Sequence, residues 1–133
     1  MRVRLESIVV DDQAKAVKFY TETLGFKVKI DIPGGGGRWI TLVPPDEPDG
    51  PELLLEPCGF DFAKTYRETL YGKGIPFTML ASDDVQKEYE TLKAKGVRFA
   101  MPPQPTPDGN SKIAAFDDTC GNYIMMYEIG KKP

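Results

Sequence analysis

The chain of 133 residues has no histidine and only two cysteines, Cys58 and Cys120, which limits its chemistry at once. A cysteine nucleophile needs a general base beside it, and with no imidazole neither thiol has the usual one. A histidine-based metal site is excluded by composition. The four-glycine run Gly34–Gly37 invites comparison with a phosphate cradle, but it joins two strand-like runs and does not open a helix. It reads instead as a mobile lip, followed by Arg38 and Trp39. That leaves carboxylates. Glu52 and Glu56 flank Leu53, Leu54 and Leu55, and strand alternation turns both of them, with Leu54, to one face.

Composition sets the frame for these groups. Hydrophobic residues make up 41% and charged residues 28%, ordinary for a globular protein, and 133 residues suit one domain better than two marginal ones. The net charge is −3 and the pI about 5.0, with basic residues scattered among acidic ones, as in Lys87, Glu88, Glu90 and Lys93. A polyanion needs a clustered basic footprint, so nucleic acid is not the expected partner. No apolar run approaches the ~18 residues that cross a bilayer, and the N-terminus is charged and alternating, unlike a signal peptide. The expectation is therefore no membrane partner, a cytoplasmic location and two free thiols.

The elements that would position the carboxylates come in two matching sets. In the first, Val3–Val10 reads as a strand and Asp12 caps a helix running to Gly25, with Ala16, Val17, Phe19, Tyr20 and Leu24 as its apolar face. Strands follow at Phe26–Ile32, Trp39–Val43 and Glu52–Glu56. In the second, Phe77–Ser82 is a strand, and Asp84 caps a helix with Val85, Tyr89 and Leu92 inward that ends at Gly96. Strands then follow at Val97–Met101, Ile113–Phe116 and Tyr123–Glu128, with Pro102–Ser111 as a loop. Asp12 and Asp84 are 72 apart, while Gly25 and Gly96, like Gly50 and Gly121, are 71 apart. Shared offsets at three punctuation points indicate a duplicated βαβββ unit. The organisation expected is module one over 1–57, a connecting helix within 58–74 and module two over 75–130. In that helix Phe62, Tyr66 and Leu70 share a face suited to packing across the junction or against a second subunit.

The segments VVDDQAKAVKFYTETLGFKV, GGRWITLV, ELLLEP, SDDVQKEYETLKAKGVRF and FDDTCGNYIMMYE resemble the vicinal oxygen chelate superfamily of glyoxalases, bleomycin-resistance proteins and extradiol dioxygenases. The resemblance runs from about Val3 to Glu128. It implies an α+β fold of two tandem βαβββ modules curled into a half-open cup, commonly in homodimers. Leu5, Ser7 and Val9, then Glu52, Leu54 and Glu56, would line the cup from the first module. Phe77, Met79 and Ala81, then Tyr123, Met125 and Tyr127, would line it from the second.

Metal-using members carry one histidine or glutamate on each of four strands, and the motif counts place those positions at Leu5, Leu54, Phe77 and Met125. None offers a nitrogen or oxygen donor, so no metal and no cofactor is expected. A register slip toward Glu52 or Glu56 would supply two carboxylates and no partners from the second module. The cup is then an apolar pocket for a small apolar, aromatic or cationic molecule, with Leu5, Arg38, Trp39, Leu54, Glu56, Phe77, Met79, Tyr123 and Met125 as its ligand contacts. This is nearest to the bleomycin-resistance branch. The alternatives are a lyase, isomerase or dioxygenase-like enzyme, metal-independent or with an unusual metal site, using Glu56 or Glu52 as base, and a structural or regulatory dimer. Whether the chain is an enzyme is left open by the sequence.

Overall fold

The computed structural model describes residues 1–34 and 36–129. Eight strands and three helices follow the order β1 (Leu5–Val10), α1 (Gln13–Lys18), β2 (Lys27–Gly34), β3 (Gly37–Val43), β4 (Glu52–Pro57), α2 (Asp61–Gly72), β5 (Thr78–Ser82), α3 (Val85–Ala94), β6 (Phe99–Pro105), β7 (Lys112–Asp117) and β8 (Tyr123–Glu128). They form two four-stranded mixed sheets with the same plan, β1-β4-β3-β2 and β5-β8-β7-β6. The first and last strands of each module pair in parallel and the others antiparallel. This is the tandem-module α+β fold expected, and neither sheet closes on itself.

The described residues divide into two compact units, Met1–Glu68 with Thr119–Gly121, and Thr69–Asp118 with residues 122–129. In the first unit, α1 covers the sheet face carrying Ile8, Val10, Ile40, Leu42 and Leu55, all fully buried together with Ala16 and Tyr20. Side chains of that kind each stabilise the fold by about 1.5–3 kcal/mol relative to exposure. In the second, α3 covers the equivalent face: Tyr89 meets Phe99 edge-on at 4.6 Å, and Phe99 meets Phe116 at 6.0 Å.

The repeat extends to local geometry. Asp12 and Asp84 are both extended, and their carboxylates accept from Lys15 N at 2.9 Å and Lys87 N at 3.0 Å, each satisfying an orphan donor of the first turn. Gly25 and Gly96 end their helices at φ 85° and 87°. Gly50 and Gly121 differ, since only Gly121 has a positive φ.

Three expectations change. The first helix is not α-helical to Gly25: after Lys18 it widens into a π turn over Phe19–Thr23, where Leu24 N bonds Phe19 O at 3.2 Å. The wider turn lets Phe19 and Tyr20 both point inward, edge to face at 5.5 Å. The expected loop Pro102–Ser111 is half strand, because β6 continues to Pro105 and only residues 106–111 turn. Prolines fit there because β6 is an edge strand, where a missing N–H breaks no ladder, and the register shifts around Met101 absorb the rest. The glycine run forms a hairpin tip, with Gly34 paired to Gly37, and Gly35 lies outside the described residues.

In α2, Phe62 and Tyr66 are 74% and 56% exposed. The residue that α2 buries is Arg67.

Candidate functional site

Each sheet has a second face, opposite its helix, and the sequence candidates sort onto the two faces by strand alternation. In the first unit, Leu5 pairs with Glu52, Ser7 with Leu54 and Val9 with Glu56, so all six share the face opposite α1. Thr41 pairs with Leu54, which adds Thr41, Trp39 and Val43 from β3. Ile30 pairs with Thr41 and Ile32 with Trp39, adding Ile30 and Ile32 from β2. Leu54 at 3% exposure is sunk in this face, while Trp39 at 44% stands out of it.

Arg38 does not join them. Adjacent residues of a strand point to opposite sides, so Arg38 falls on the Ile40 side, where Asp31 takes it in a two-pronged bond: Nε to Oδ1 at 3.0 Å and Nη2 to Oδ2 at 2.6 Å. The guanidinium holds the Asp31 carboxyl below its ordinary range. Pairing of Arg38 with Glu52 or Glu56 is therefore absent from this structure. Glu52 instead accepts from the Thr41 hydroxyl at 2.7 Å and has Lys29 Nζ 3.9 Å away, and Glu56 accepts from the Ser7 hydroxyl at 3.2 Å.

In the second unit, Met79 pairs with Met125, Ala81 with Tyr127, and Phe77 N bonds Tyr123 O at 2.8 Å. Ala115 pairs with both Met125 and Met101, and Asp117 with Tyr123. The face opposite α3 thus gathers Phe77, Met79, Tyr123, Met125 and Tyr127, with Met101 beside them. Met101 was not among the sequence candidates, because its place depends on a register shift that the residue pattern does not show.

One edge of this face is a polar cluster with no local mark in the sequence, as its members lie 46 and 19 residues apart. Tyr71, at the end of α2, stacks on Tyr123 at 4.5 Å and donates its hydroxyl to Asp117 Oδ2, which also accepts from Arg98 Nη2 at 2.7 Å. The nearby carboxylate raises the Tyr71 phenol well above its ordinary value of 10.0. Because the folded value lies above the unfolded one, the stability from this bond is complete below about pH 10 and is lost as the pH climbs past it. In an alkaline titration followed at 295 nm, the absorbance step that Tyr71→Phe removes should come later than that of an ordinary phenol. Removal of a step at the ordinary phenol value would refute the assignment.

The donor set can be tested against the metal that the resemblance implies. Leu5 and Leu54 are same-face neighbours one step off register, as are Phe77 and Met125, so each module does bring its two counted positions together. They bring together carbon and one soft thioether, which do not fit a divalent ion that prefers nitrogen and oxygen. Glu52 and Glu56 lie roughly 13 Å apart along β4, too far to share an ion, and each bonds a different hydroxyl. Among the described residues no three His, Cys, Asp or Glu side chains gather closely enough to hold one. Neither Cys58 nor Cys120 forms a disulfide among the described residues, and Cys120 is buried. Among the described residues no helix is long and apolar enough to cross a membrane.

Comparison with known proteins agrees with this architecture. The family model described as Glyoxalase/Bleomycin resistance protein/Dioxygenase superfamily matches residues 3–126. The uncharacterized protein YurT of Bacillus subtilis (strain 168) is 51% identical over 128 residues, covering 96% of this chain and 99% of that protein. A probable chloroplastic lactoylglutathione lyase of Arabidopsis thaliana is 31% identical over 93% of this chain, which spans only 35% of that enzyme's length. The crystal structure of TnmS3, an antibiotic binding protein from Streptomyces sp. CB03234, superposes with a TM-score of 0.75 at 31% identity, covering 96% of this chain and 95% of that one. The match across nearly the whole chain, on the duplicated βαβββ plan, makes this protein a member of the glyoxalase/bleomycin resistance/dioxygenase superfamily.

Proposed function

We propose that this protein binds a small apolar, aromatic or cationic molecule on the sheet faces opposite its helices, and that it does so without the metal used by catalytic relatives. The observation that carries the reading is the chemistry at Leu5, Leu54, Phe77 and Met125, where the faces offer carbon and sulfur in place of oxygen and nitrogen donors. Methionine and aromatic side chains adapt to flat or irregular ligands, and the second unit's face is built largely from them. The likeness to an antibiotic binding protein supports the same reading. The expected homodimer belongs with it, since Phe60, just before α2, and Phe62 and Tyr66 on it are exposed apolar side chains that a second copy would cover.

The test begins with dialysis against nickel, zinc, manganese and iron(II) and a count of metal per chain, with molar mass in solution measured on the same samples. No metal above background is expected. A thermal-shift screen of aromatic and cationic compounds should then yield ligands that raise the midpoint, as any ligand of the native state must. Met125→Ala should weaken such a ligand about tenfold by removing apolar contact. About one tightly held metal per chain would overturn the reading. A monomeric mass would overturn only the dimer.

The likeness to a lactoylglutathione lyase favours a second reading, in which Glu56 or Glu52 acts as a base. Turnover of a bound compound that Glu56→Gln abolishes, with affinity retained, would establish it over simple binding.

A further inference from the structure

The two modules are copies, so a place where one departs from the other calls for an explanation. In the second, β7 and β8 pair without a break from Ile113 with Tyr127 to Asp117 with Tyr123. In the first, the equivalent ladder between β3 and β4 is confined, among the described residues, to Thr41 with Leu54 and Leu42 with Leu53. Beyond those pairs the strands are joined through a side chain. The Gln13 amide donates from Nε2 to Arg38 O at 2.6 Å and to Leu55 O at 2.8 Å, and its Oε1 accepts from Arg38 N at 3.0 Å. It stands in for the missing backbone bonds and satisfies polar groups that would otherwise be left unmade. The residue 72 positions later is Val85, which has no polar atoms to do this.

Trp39 lies two residues from Thr41 and Glu56 two residues from Leu54, so alternation from that pair turns both to the side opposite α1, on neighbouring strands. The Trp39 ring is 44% exposed. Glu56 is half-buried, with the Ser7 hydroxyl at 3.2 Å, and among the described residues no basic group pairs with it. The nearby bases are committed elsewhere, Arg38 to Asp31 and Lys29 toward Glu52. An exposed indole face beside a carboxylate without a counter-charge is suited to a ligand cation, because the ring quadrupole and the carboxylate both attract it and a neutral group gains neither.

We propose that this end of β3 and β4 is an ammonium-binding corner, in which Trp39 supplies the ring face, Glu56 the charge, and Gln13 the bonds that fix the two strands in place. It rests on the small-molecule reading above and narrows the ligand class to apolar or aromatic amines and quaternary ammonium compounds.

Trp39 is the chain's one tryptophan, so its fluorescence reports directly on the corner. The probes are benzyltrimethylammonium and neopentylbenzene, which share a shape and differ in charge. The ammonium should bind at least about tenfold tighter, within the range of a partly desolvated cation–π contact aided by a carboxylate. Glu56→Gln should erase that preference, whereas Glu6→Gln, on the opposite side of the neighbouring strand β1, should keep it. Gln13→Val, which copies the second module, should lower ammonium affinity about fivefold, and its thermal midpoint and near-UV circular dichroism confirm that the variant is folded. Equal affinity for the two probes, or a preference that survives Glu56→Gln, overturns the corner and leaves the broader reading intact. If neither probe binds while neutral aromatic compounds from the screen do, the corner alone falls. If no compound binds at all, both fall.

Discussion

Asp118→Ala is expected to lower stability by about 3 kcal/mol, read as a fall in the urea midpoint with an unchanged slope. Asp118 is fully buried, and its carboxylate accepts from Asn122 N and from Asn122 Nδ2, both at 3.0 Å, while its own N–H donates to Asn122 O at 3.0 Å. Alanine would remove two acceptors at once and leave two donors of a buried asparagine to find others. Each donor left unsatisfied costs about 1–3 kcal/mol, so the sum exceeds what a lost neutral hydrogen bond alone would give. Asp118→Asn should fall between, keeping an oxygen for the backbone donor but turning an NH2 toward Asn122 Nδ2. Asp46→Ala, at an exposed turn, should change stability by less than about 0.5 kcal/mol. A loss below about 1 kcal/mol in Asp118→Ala would mean that these bonds do not hold the turn.

That turn belongs to one of the segments that carried the family resemblance, and its physics shows why such short signatures identify a fold. Asp118 and Asn122 are conspicuous in sequence because few other pairs can close a five-residue loop on itself. Asp12 and Asp84 were legible for a similar reason, since an N-cap acts within three residues and needs no knowledge of the tertiary fold. What could not be read depended on partners far along the chain. The prolines of β6 argue against a strand until the sheet order puts them on an edge. The Tyr71–Asp117 bond spans 46 residues and carries no local mark.

The candidate site divides in the same way. Leu5, Leu54, Phe77 and Met125 come from counting within motifs, and the register puts each module's two positions side by side. Arg38 and Trp39 were both expected among the ligand contacts, yet consecutive strand residues cannot share a face, and the hairpin register delivers Arg38 to Asp31. Gln13 gave no signal at all. It reads as an ordinary first residue of a capped helix, and only the interrupted ladder between β3 and β4, 25 and 42 residues away, gives its amide a purpose.

Gly121→Ala should also cost about 3 kcal/mol, and its counterpart Gly50→Ala less than about 1 kcal/mol, although the two glycines occupy equivalent places in the repeat. The difference has two separable causes. Gly121 sits at φ 86°, where a Cβ costs about 1–2 kcal/mol, and Gly50 does not have a positive φ. A Cβ on Gly121 would also overlap Arg67 Nη1 and come within 2.8 Å of its Cζ, whereas one on Gly50 meets Glu47 atoms at 3.2–3.3 Å, which a small shift relieves. Arg67 has little freedom to yield. Its side chain is buried, its Nη1 donates to Gly121 O at 3.2 Å, and its Nε has no hydrogen-bond partner among the described residues. Moving the guanidinium gives up that bond in a place already short of acceptors, adding about 1–2 kcal/mol. A double-mutant cycle with Arg67→Ala divides the two causes: the steric part should vanish in Gly121→Ala/Arg67→Ala, leaving a coupling of about 1–2 kcal/mol, while the backbone part persists. No coupling would place the whole cost in the backbone. Equal losses at Gly50 and Gly121 would mean that neither φ nor Arg67 distinguishes the two turns, so that the modules are closer copies than their geometry indicates.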